Sequence, residues 1–539
     1  MKMKKCAFVS TRVHPLGGIG LLTGILVFLQ TQYLPAPSGT WNNVSGSWGD
    51  TANWVGGVIC DGAGSTFATV ALSPSGVTRT CTLDASRTIG QLNSINVNGG
   101  NRAFMLTDGG DTTLTLTLSV GGRPLFNVLN GPCFLNLALA GTEGVRFRVR
   151  DAGGLATVTI TRPQQYSGDT ELAAGQGSSG ISRVIVGVAD ALPHGSGKGN
   201  IVFTNFNNQG YGVLDLSTND VTVNALVSIG PGGRILATGD PGTSTLTVGD
   251  ADASGDFGGV IEDNTRTVAL TKIGTGTQVL GGNNSYTGPT TVEAGALIIN
   301  GTLQNSPVTV NGGLLGGNGT LLNSVIVNAG GTISAGASVG ILNLVGGLDL
   351  SAGGTNLWEL VANSDTNPGT DFDQISLAAG TLDLTDSTLV VSLGGSVNPS
   401  DPFWTSAHSW DVIASAVGSG TSNFKYIKVQ GPAPAGTFAT TNDGMNVKLL
   451  FTPGGGPPQP PPTPVRITAI TGAGTPTVTV YYTNTIPGSN YVLQYTTNLS
   501  APVWSVVGNK TASGTSDSQN DTAASGPQRF YRVYYQYTP

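Results

Sequence analysis

Three arginines alternate with apolar residues in the segment Val145-Arg-Phe-Arg-Val-Arg-Asp151. Successive side chains of a β-strand point to opposite faces, so Arg146, Arg148 and Arg150 would share an outward face. A row of guanidinium groups suits bidentate binding of an anionic glycan. The alternative is a solvated strand face, and the sequence shows no matching pair of carboxylates beside the row for acid–base catalysis.

A second segment, Asp250-Ala-Asp-Ala-Ser-Gly-Asp256, imitates the start of a calcium loop. Asp250 and Asp252 supply oxygens at the first two ligand positions, a glycine follows at position 6, and Asp256 comes next. The acidic residue expected at position 12 is replaced by Ile261. We therefore expect no cofactor, with calcium at the three aspartates as the alternative.

The remaining reactive residues give little chemistry. Three cysteines lie beyond the N-terminal segment, and in an exported protein Cys60 and Cys81 are the pair expected to form a disulfide, leaving Cys133 over. His194 lies in a turn and His408 lies in a tryptophan-rich segment, neither with a recognisable nucleophile pattern. No phosphate-binding or dinucleotide motif occurs. We therefore expect no enzyme and no catalytic residues.

The elements that would position these residues are indicated by a segment that occurs twice. Val158–Gly175 and Gln278–Gly295 align without a gap. The residues shared by the two copies are Tyr166, Gly168, Thr170 and Gly175, which recur as Tyr286, Gly288, Thr290 and Gly295. A unit of tyrosine, glycine turn, β-branched strand and glycine corner, used twice, favours stacked coils over a single globular core.

Shorter echoes of one form, an apolar residue, a polar residue and two small residues, follow the second copy. They begin at Val292, Val310, Val327, Leu350 and Leu377. Spacings of roughly 20 residues suit one coil of a β-solenoid, with small residues at the tight corners. The sequence therefore predicts an all-β chain, a β-solenoid followed by a small β-sandwich.

Composition agrees with a surface protein and excludes one class of partner. Of 539 residues 81 are glycine, and 10% are charged, well below the ordinary share of about 25%. The net charge of −7 is spread along the chain, so nucleic acid is not an expected partner.

The chain divides by composition into six segments. A basic start and the apolar run Leu16–Leu29 are typical of a cleaved signal peptide. A proline- and glycine-rich stretch separates the coils from a short C-terminal module of immunoglobulin or fibronectin kind. The predicted segments are residues 1–36, signal peptide; 37–85, tryptophan-rich cap; 86–395, β-helix; 396–452, second cap; 453–464, linker; and 465–539, β-sandwich.

Thr271–Leu303, with Lys272, Asn-Ser-Tyr-Thr-Gly and Thr-Val-Glu-Ala-Gly-Ala-Leu in order, resembles the autotransporter-associated β-strand repeat. Gly312–Leu344 and Thr243–Asp263 are similar to segments of autotransporter passenger domains. The resemblance implies that the solenoid is a right-handed parallel β-helix displayed outside the cell. Autotransporters of this kind end in a membrane barrel of about 250 residues or more, and because 75 residues follow the linker, we expect no such barrel in this chain.

Together these observations predict a secreted or cell-surface, adhesin-like structural protein, exported through its N-terminal signal. Extracellular glycans and cell-surface or matrix components are the expected partners. The alternative is a polysaccharide-binding or polysaccharide-degrading β-helix protein, which would require charged side chains converging on one cleft.

Overall fold

The computed structural model describes residues 36–70, 77–97, 103–150, 156–173, 181–205, 210–230, 232–415, 422–454, 465–485, 490–524 and 528–536. Almost all of the predicted signal peptide, most of the linker and the corner glycine Gly175 of the first copy lie outside these ranges. Within them the chain is nearly all β, and the helices are four short 3-10 turns: Thr51–Asn53, Val55–Gly57, Asp250–Asp252 and Pro402–Thr405. None of the described helices is long and apolar enough to cross a membrane.

The first part of the body consists of three parallel sheets. In spatial order, sheet 1 contains Gly39–Trp41, Thr66–Thr69, Gln91–Asn96, Leu125–Leu129, Val145–Arg150, Thr170–Ala173, Ile201–Thr204 and Leu226–Ile229. Sheet 2 contains Gly46–Ser47, Thr78–Thr82, Ala103–Thr107, Pro132–Asn136, Thr157–Ile160, Ile181–Val186, Tyr211–Asp215, Arg234–Leu236 and Val260–Ile261. Sheet 3 contains Ala138–Ala140, Thr115–Leu118 and Arg87–Ile89.

Three further sheets continue the body, parallel except at one end. Sheet 4 contains Val221–Val223, Thr243–Val248, Thr267–Lys272, Thr290–Val292, Val308–Val310, Val325–Val327, Leu348–Asp349 and Leu382–Asp383. Sheet 5 contains Gly255–Phe257, Thr277–Leu280, Ala296–Ile299, Gly313–Gly316, Gly331–Ser334, Thr355–Leu360, Thr388–Leu393 and Tyr426–Gln430. Sheet 6 contains Asn283–Asn284, Thr302–Leu303, Thr320–Leu321, Ile341–Leu344, Gln374–Leu377, His408–Ser415, Asn446–Pro453 and Gly436–Asn442.

Along the chain, strands of sheets 4, 5 and 6 follow one another in rotation, and each strand after the first of its sheet, up to His408–Ser415, pairs in parallel with the strand one lap earlier. The pairs His408–Ser415 with Asn446–Pro453 and Asn446–Pro453 with Gly436–Asn442 are antiparallel. Thr290 pairs with Val308, and Val308 pairs with Val325. This is the winding of a parallel β-helix, so the predicted all-β, parallel fold is confirmed. Tight corners allow it: Gly313 has φ +70°, and a Cβ there would lie 2.3 Å from the carbonyl oxygen of Gly295 in the lap before.

One predicted echo was placed in the wrong column. Leu350 and Leu377 were expected to be equivalent residues of successive coils, but Leu377 ends a strand of sheet 6. The lap instead joins Leu348 to Leu382 in sheet 4. The chain makes an excursion between strands of sheets 5 and 6, where Leu360 bridges Phe372, and this lengthens the lap.

A continuous apolar core fills the body, because inward residues alternate with outward ones along the strands. At its start Trp41, Trp48 and Trp54 are buried together, with ring centroids of Trp41 and Trp54 5.1 Å apart. The indole nitrogens of Trp48 and Trp54 donate to the carbonyls of Cys60 and Trp48. Buried rings with satisfied N–H groups pack the first coil and offer no open face to a sugar.

The described residues between 465 and 536 form two three-stranded antiparallel sheets. Sheet 7 contains Arg466–Thr471, Val478–Thr483 and Ser516–Asp521, and sheet 8 contains Ser505–Thr511, Asn490–Thr496 and Phe530–Gln536. Val478 and Val480 of sheet 7 pack against Leu493 of sheet 8, and Tyr482 packs against Tyr491. The immunoglobulin or fibronectin kinship of this module stays a prediction.

Candidate functional site

The predicted arginine row lies on sheet 1, in the strand Val145–Arg150. Val145, Phe147 and Val149 are fully buried in the core, as the alternation predicts. Arg146 and Arg148 therefore lie on the outer face. The side chain of Arg150 is outside the described residues.

Carboxylates lie beside this row, contrary to the sequence-based expectation. Arg146 is the register partner of Glu171 on the next strand, and its Nε is 2.9 Å from Glu171 Oε1. Arg123 approaches the other carboxylate oxygen at 2.5 Å and Asp169 at 2.7 Å. The Thr204 hydroxyl also donates to Glu171 Oε1, at 2.7 Å. Coil spacing was the signal that could have found Glu171, because it is one lap after Arg146.

The charged groups of this cluster contact mainly one another. The Glu171 side chain is 1% exposed and both its oxygens accept hydrogen bonds from cations or a hydroxyl. An acidic sugar would have to displace Glu171 from Arg146, and both oxygens of this buried carboxylate already have partners. The arrangement is a charge network that ties neighbouring laps together across the outer face.

The three aspartates of the loop do not share a common partner: Asp250 and Asp252 contact different residues, and Asp256 is exposed on a strand. Asp250 Oδ2 lies 2.6 Å from His194 Nδ1, and Asp252 accepts the backbone N–H of Thr275 at 2.7 Å. Asp256 lies in the strand Gly255–Phe257 on an exposed position. Within the part of the chain that the structure describes, no three His, Cys, Asp or Glu residues are grouped as metal ligands. The contacts thus give calcium no shared set of oxygens here.

The predicted disulfide is not formed, because Cys60 and Cys81 are both free thiols. Cys60 precedes a strand of sheet 1 and its Sγ lies 3.3 Å from Ser65 Oγ, whereas Cys81 lies on a strand of sheet 2. Burial raises the pKa of both thiols, and also that of Cys133. The protonated thiols pack as small apolar side chains.

His408 lies in an aromatic cluster near the end of the β-helix. Its ring stacks on Phe403 with centroids 3.5 Å apart. Nδ1 is 2.8 Å from Asp365 Oδ2 and Nε2 is 2.5 Å from the Phe403 carbonyl oxygen. Both ring nitrogens therefore face oxygen acceptors, and no hydroxyl or thiol nucleophile contacts the ring among the hydrogen bonds of the described residues.

The two copies of the repeated segment fold alike at their tyrosines. Tyr166 and Tyr286 are fully buried, and their hydroxyls lie 2.7 and 2.6 Å from the hydroxyls of Thr170 and Thr290. Each turn glycine is pressed against backbone: a Cβ on Gly168 or on Gly288 would lie 2.4 Å from the preceding lap. The shared residues thus fix a corner of the β-helix.

Lys272 is buried at the end of the strand Thr267–Lys272 in sheet 4, six residues before the second copy begins. Its ammonium group donates to the carbonyls of Ile273, Gly274 and Ala294 at 2.5, 2.9 and 3.2 Å. Burial lowers the pKa of this lysine, with nearby Asp252 acting in the opposite direction. The lysine joins the turn after residue 272 to the Ala294–Gly295 corner one lap later.

Residues 270–299, which contain this second copy, match the passenger-associated-transport-repeat family. The chain matches none of the curated proteins with which it was compared. The family match shows that the chain carries a repeat of the autotransporter passenger type, as the resemblance of Thr271–Leu303 implied. Such a repeat implies export to the cell surface or to the extracellular space.

Proposed function

We propose that this chain is an adhesin-like structural protein, a stiff β-helical scaffold presented outside the cell. The observation that carries the proposal is the passenger-type repeat at residues 270–299, built without interruption into a continuous β-helix. Consecutive laps share backbone hydrogen bonds and one apolar core, which makes a rigid support for surface contacts.

The charge network on sheet 1 supports a scaffold over an enzyme. Arg123, Arg146 and Glu171 satisfy one another, so the best candidate for a polysaccharide-cleaving site has its acid already paired. Contacts with extracellular glycans or matrix components would then be distributed over the polar outer faces. The N-terminal signal peptide of the proposal would be removed near Ala36.

Export is tested with intact cells that express the full chain. External protease should degrade the protein while a cytoplasmic marker stays intact, or the protein should be found in the medium. Its mature N-terminus, determined by mass spectrometry, should lie near Ala36. A full-length chain that is protected until the cells are lysed would contradict the proposal.

The enzymatic alternative is tested by incubating the purified protein with acidic and neutral polysaccharides. We expect no release of reducing ends or unsaturated products. Glu171→Thr is the matched control, because it removes the best-placed carboxylate and inserts the residue of the second copy. Product release that is lost in this variant would establish a polysaccharide-degrading site and overturn the structural role.

A further inference from the structure

The outer face of sheet 8 in the C-terminal module presents a cation between aromatic rings. Tyr491 and Leu493 point into the module core, so Val492 and Gln494 of the same strand lie on the opposite face of sheet 8, where both are buried beneath neighbouring side chains. Their register partners on the last strand are Tyr534 and Arg532. Arg532 therefore lies across Gln494 on the outside of the sheet.

Arg532 is held in place on several sides. Its guanidinium carbon is 4.2 Å from the ring centroid of Trp504 and 5.9 Å from that of Tyr534. Its Nε donates to Gln494 Oε1 at 2.8 Å, and Gln494 is buried. No hydrogen bond to its two terminal nitrogens occurs among the described residues. The edge of the guanidinium that forms bidentate contacts is thus fixed in direction and open.

Arg529, three residues earlier, makes the opposite arrangement. Its guanidinium stacks on Tyr495 at 3.9 Å, but its terminal nitrogens are bound to Asp521 and to the Ala523 carbonyl. Arg529 completes a structural contact between the two sheets. Arg532 has the same kind of aromatic support without an acidic partner in the described structure.

Exposed apolar side chains accompany this cation. Val503 is 82% exposed, Val506 is 60% exposed and Tyr534 is 41% exposed. Val503 adjoins Trp504 in sequence, and Val506 pairs with Gln494 across the sheet. Large apolar side chains gathered around a polar group on a surface are typical of a binding face.

We propose that this face, formed by Trp504, Val506, Gln494, Arg532 and Tyr534, binds a carboxylated polysaccharide. Charge favours this occupant, because the three strands of sheet 8 contain no aspartate or glutamate although the chain carries a net charge of −7. Arg532 receives a sugar carboxylate in a bidentate contact, while the rings and Val506 cover the apolar faces of the neighbouring sugars. The inference goes beyond the scaffold role and does not depend on it.

The test measures dissociation constants of the full-length chain for polygalacturonate by affinity electrophoresis at fixed ionic strength. We expect Arg532→Gln and Trp504→Ala each to weaken binding about tenfold or more. Arg466→Gln is the matched control, since it removes one exposed positive charge from sheet 7, and it should change binding less than about twofold. Fully methyl-esterified polygalacturonate should bind as weakly to the native chain as polygalacturonate binds to Arg532→Gln.

Three results would overturn the proposal. The first is absence of binding by the native chain. The second is an equal loss in Arg466→Gln, which would indicate unspecific charge attraction. The third is binding to vesicles containing phosphatidylglycerol, or self-association in sedimentation velocity, that is lost in Arg532→Gln while polygalacturonate binding is unchanged. Circular dichroism of each variant separates these results from misfolding.

Discussion

The two copies of the repeated segment make the same inward contacts but carry different side chains on their outer faces. Tyr166 and Tyr286 are equally buried and make the same hydroxyl contact. Outside, the first copy places Glu171 under two arginines, whereas the second places Thr291 between Thr271 and Thr309 in a threonine column. The corner is therefore specified by the inward residues, and the outward positions are free to hold either ions or hydroxyls.

The copies also enter different columns of the β-helix. After Tyr166 the chain joins sheet 1, and after Tyr286 it joins sheet 4. The same local unit thus serves at two corners. Its tyrosine and glycine determine the local bend, while the lap already in place determines which strand the new strand will pair with.

Truncating either tyrosine should have the largest effect. Because both rings are fully buried, Tyr166→Ala and Tyr286→Ala should each lower the free energy of unfolding by about 3–5 kcal/mol. Urea unfolding followed by tryptophan fluorescence measures both variants. A loss in one copy more than about 2 kcal/mol greater than in the other would show that the interiors are not equivalent.

Exchanging the outward residues should have a smaller effect that separates the copies. Glu171→Thr leaves Arg123 and Arg146 without their shared carboxylate, and should cost about 1–3 kcal/mol because both cations are partly exposed and can rehydrate. Thr291→Ala, at the aligned position, should change the free energy of unfolding by no more than about 0.5 kcal/mol. Equal losses would mean that the network contributes no more than a polar ladder.

Asp373 is a second buried acid and, unlike Glu171, has no cationic partner in the described structure. Asp373 accepts N–H groups from Gly340 and Glu359 at 2.9 and 3.1 Å, but no arginine or lysine pairs with it in the described structure. Burial is the main cause that raises its pKa from 3.8 to about 8. Between these values the folded chain keeps a proton that the unfolded chain loses, so stability is full below the ordinary pKa and falls as pH rises through about 8.

Asp373→Asn should remove this part of the pH dependence. We expect the free energy of unfolding of the native chain, measured by urea unfolding, to decrease from pH 5 to pH 8 by more than the roughly 1.4 kcal/mol that one pKa unit represents. The variant should show a flatter profile over the same range. Parallel profiles for the two proteins would assign the slope to other groups.

Removing only the hydroxyls should give the smallest effects, and unequal ones. Thr290 also contacts the Ser306 hydroxyl at 2.8 Å, so it keeps a partner in Tyr286→Phe. Thr170 has no second side-chain hydrogen bond within the described residues. Tyr166→Phe should therefore cost about 1–2 kcal/mol and Tyr286→Phe about 0.5–1 kcal/mol, measured by urea unfolding. The reverse order would break the proposed difference.

Period-two alternation and the spacing of small residues were sufficient to predict the stacked coils of a β-solenoid, and the family resemblance supplied the parallel winding. They also placed Val145, Phe147 and Val149 correctly in the core. The wrong column assigned to Leu377 has a physical cause, since a lap can absorb an excursion on its outside without disturbing the inward residues. Corner signals count laps reliably only where the laps are of similar length.

The candidate site was predicted less well, because its members come from separate laps. The arginine row is visible within one strand, but Glu171 and Arg123 reach it only through coil stacking. The disulfide prediction failed for a related reason, since sequence proximity does not reveal that Cys60 precedes a strand of sheet 1 while Cys81 lies on a strand of sheet 2. The exposed guanidinium of Arg532 could not be predicted, because the sequence does not show that Arg529 is paired with an aspartate and that Arg532, in the described structure, is not.

The pairing of Thr290 with Val308 and of Val308 with Val325 has a consequence for evolution. Each lap presents to the next almost the same ladder of backbone groups that it received. Duplication or deletion of a whole lap leaves the remaining laps able to pair in register, whereas insertion or deletion of a single strand residue would turn inward side chains to solvent. Related proteins should therefore differ in length mainly by whole laps of the β-helix.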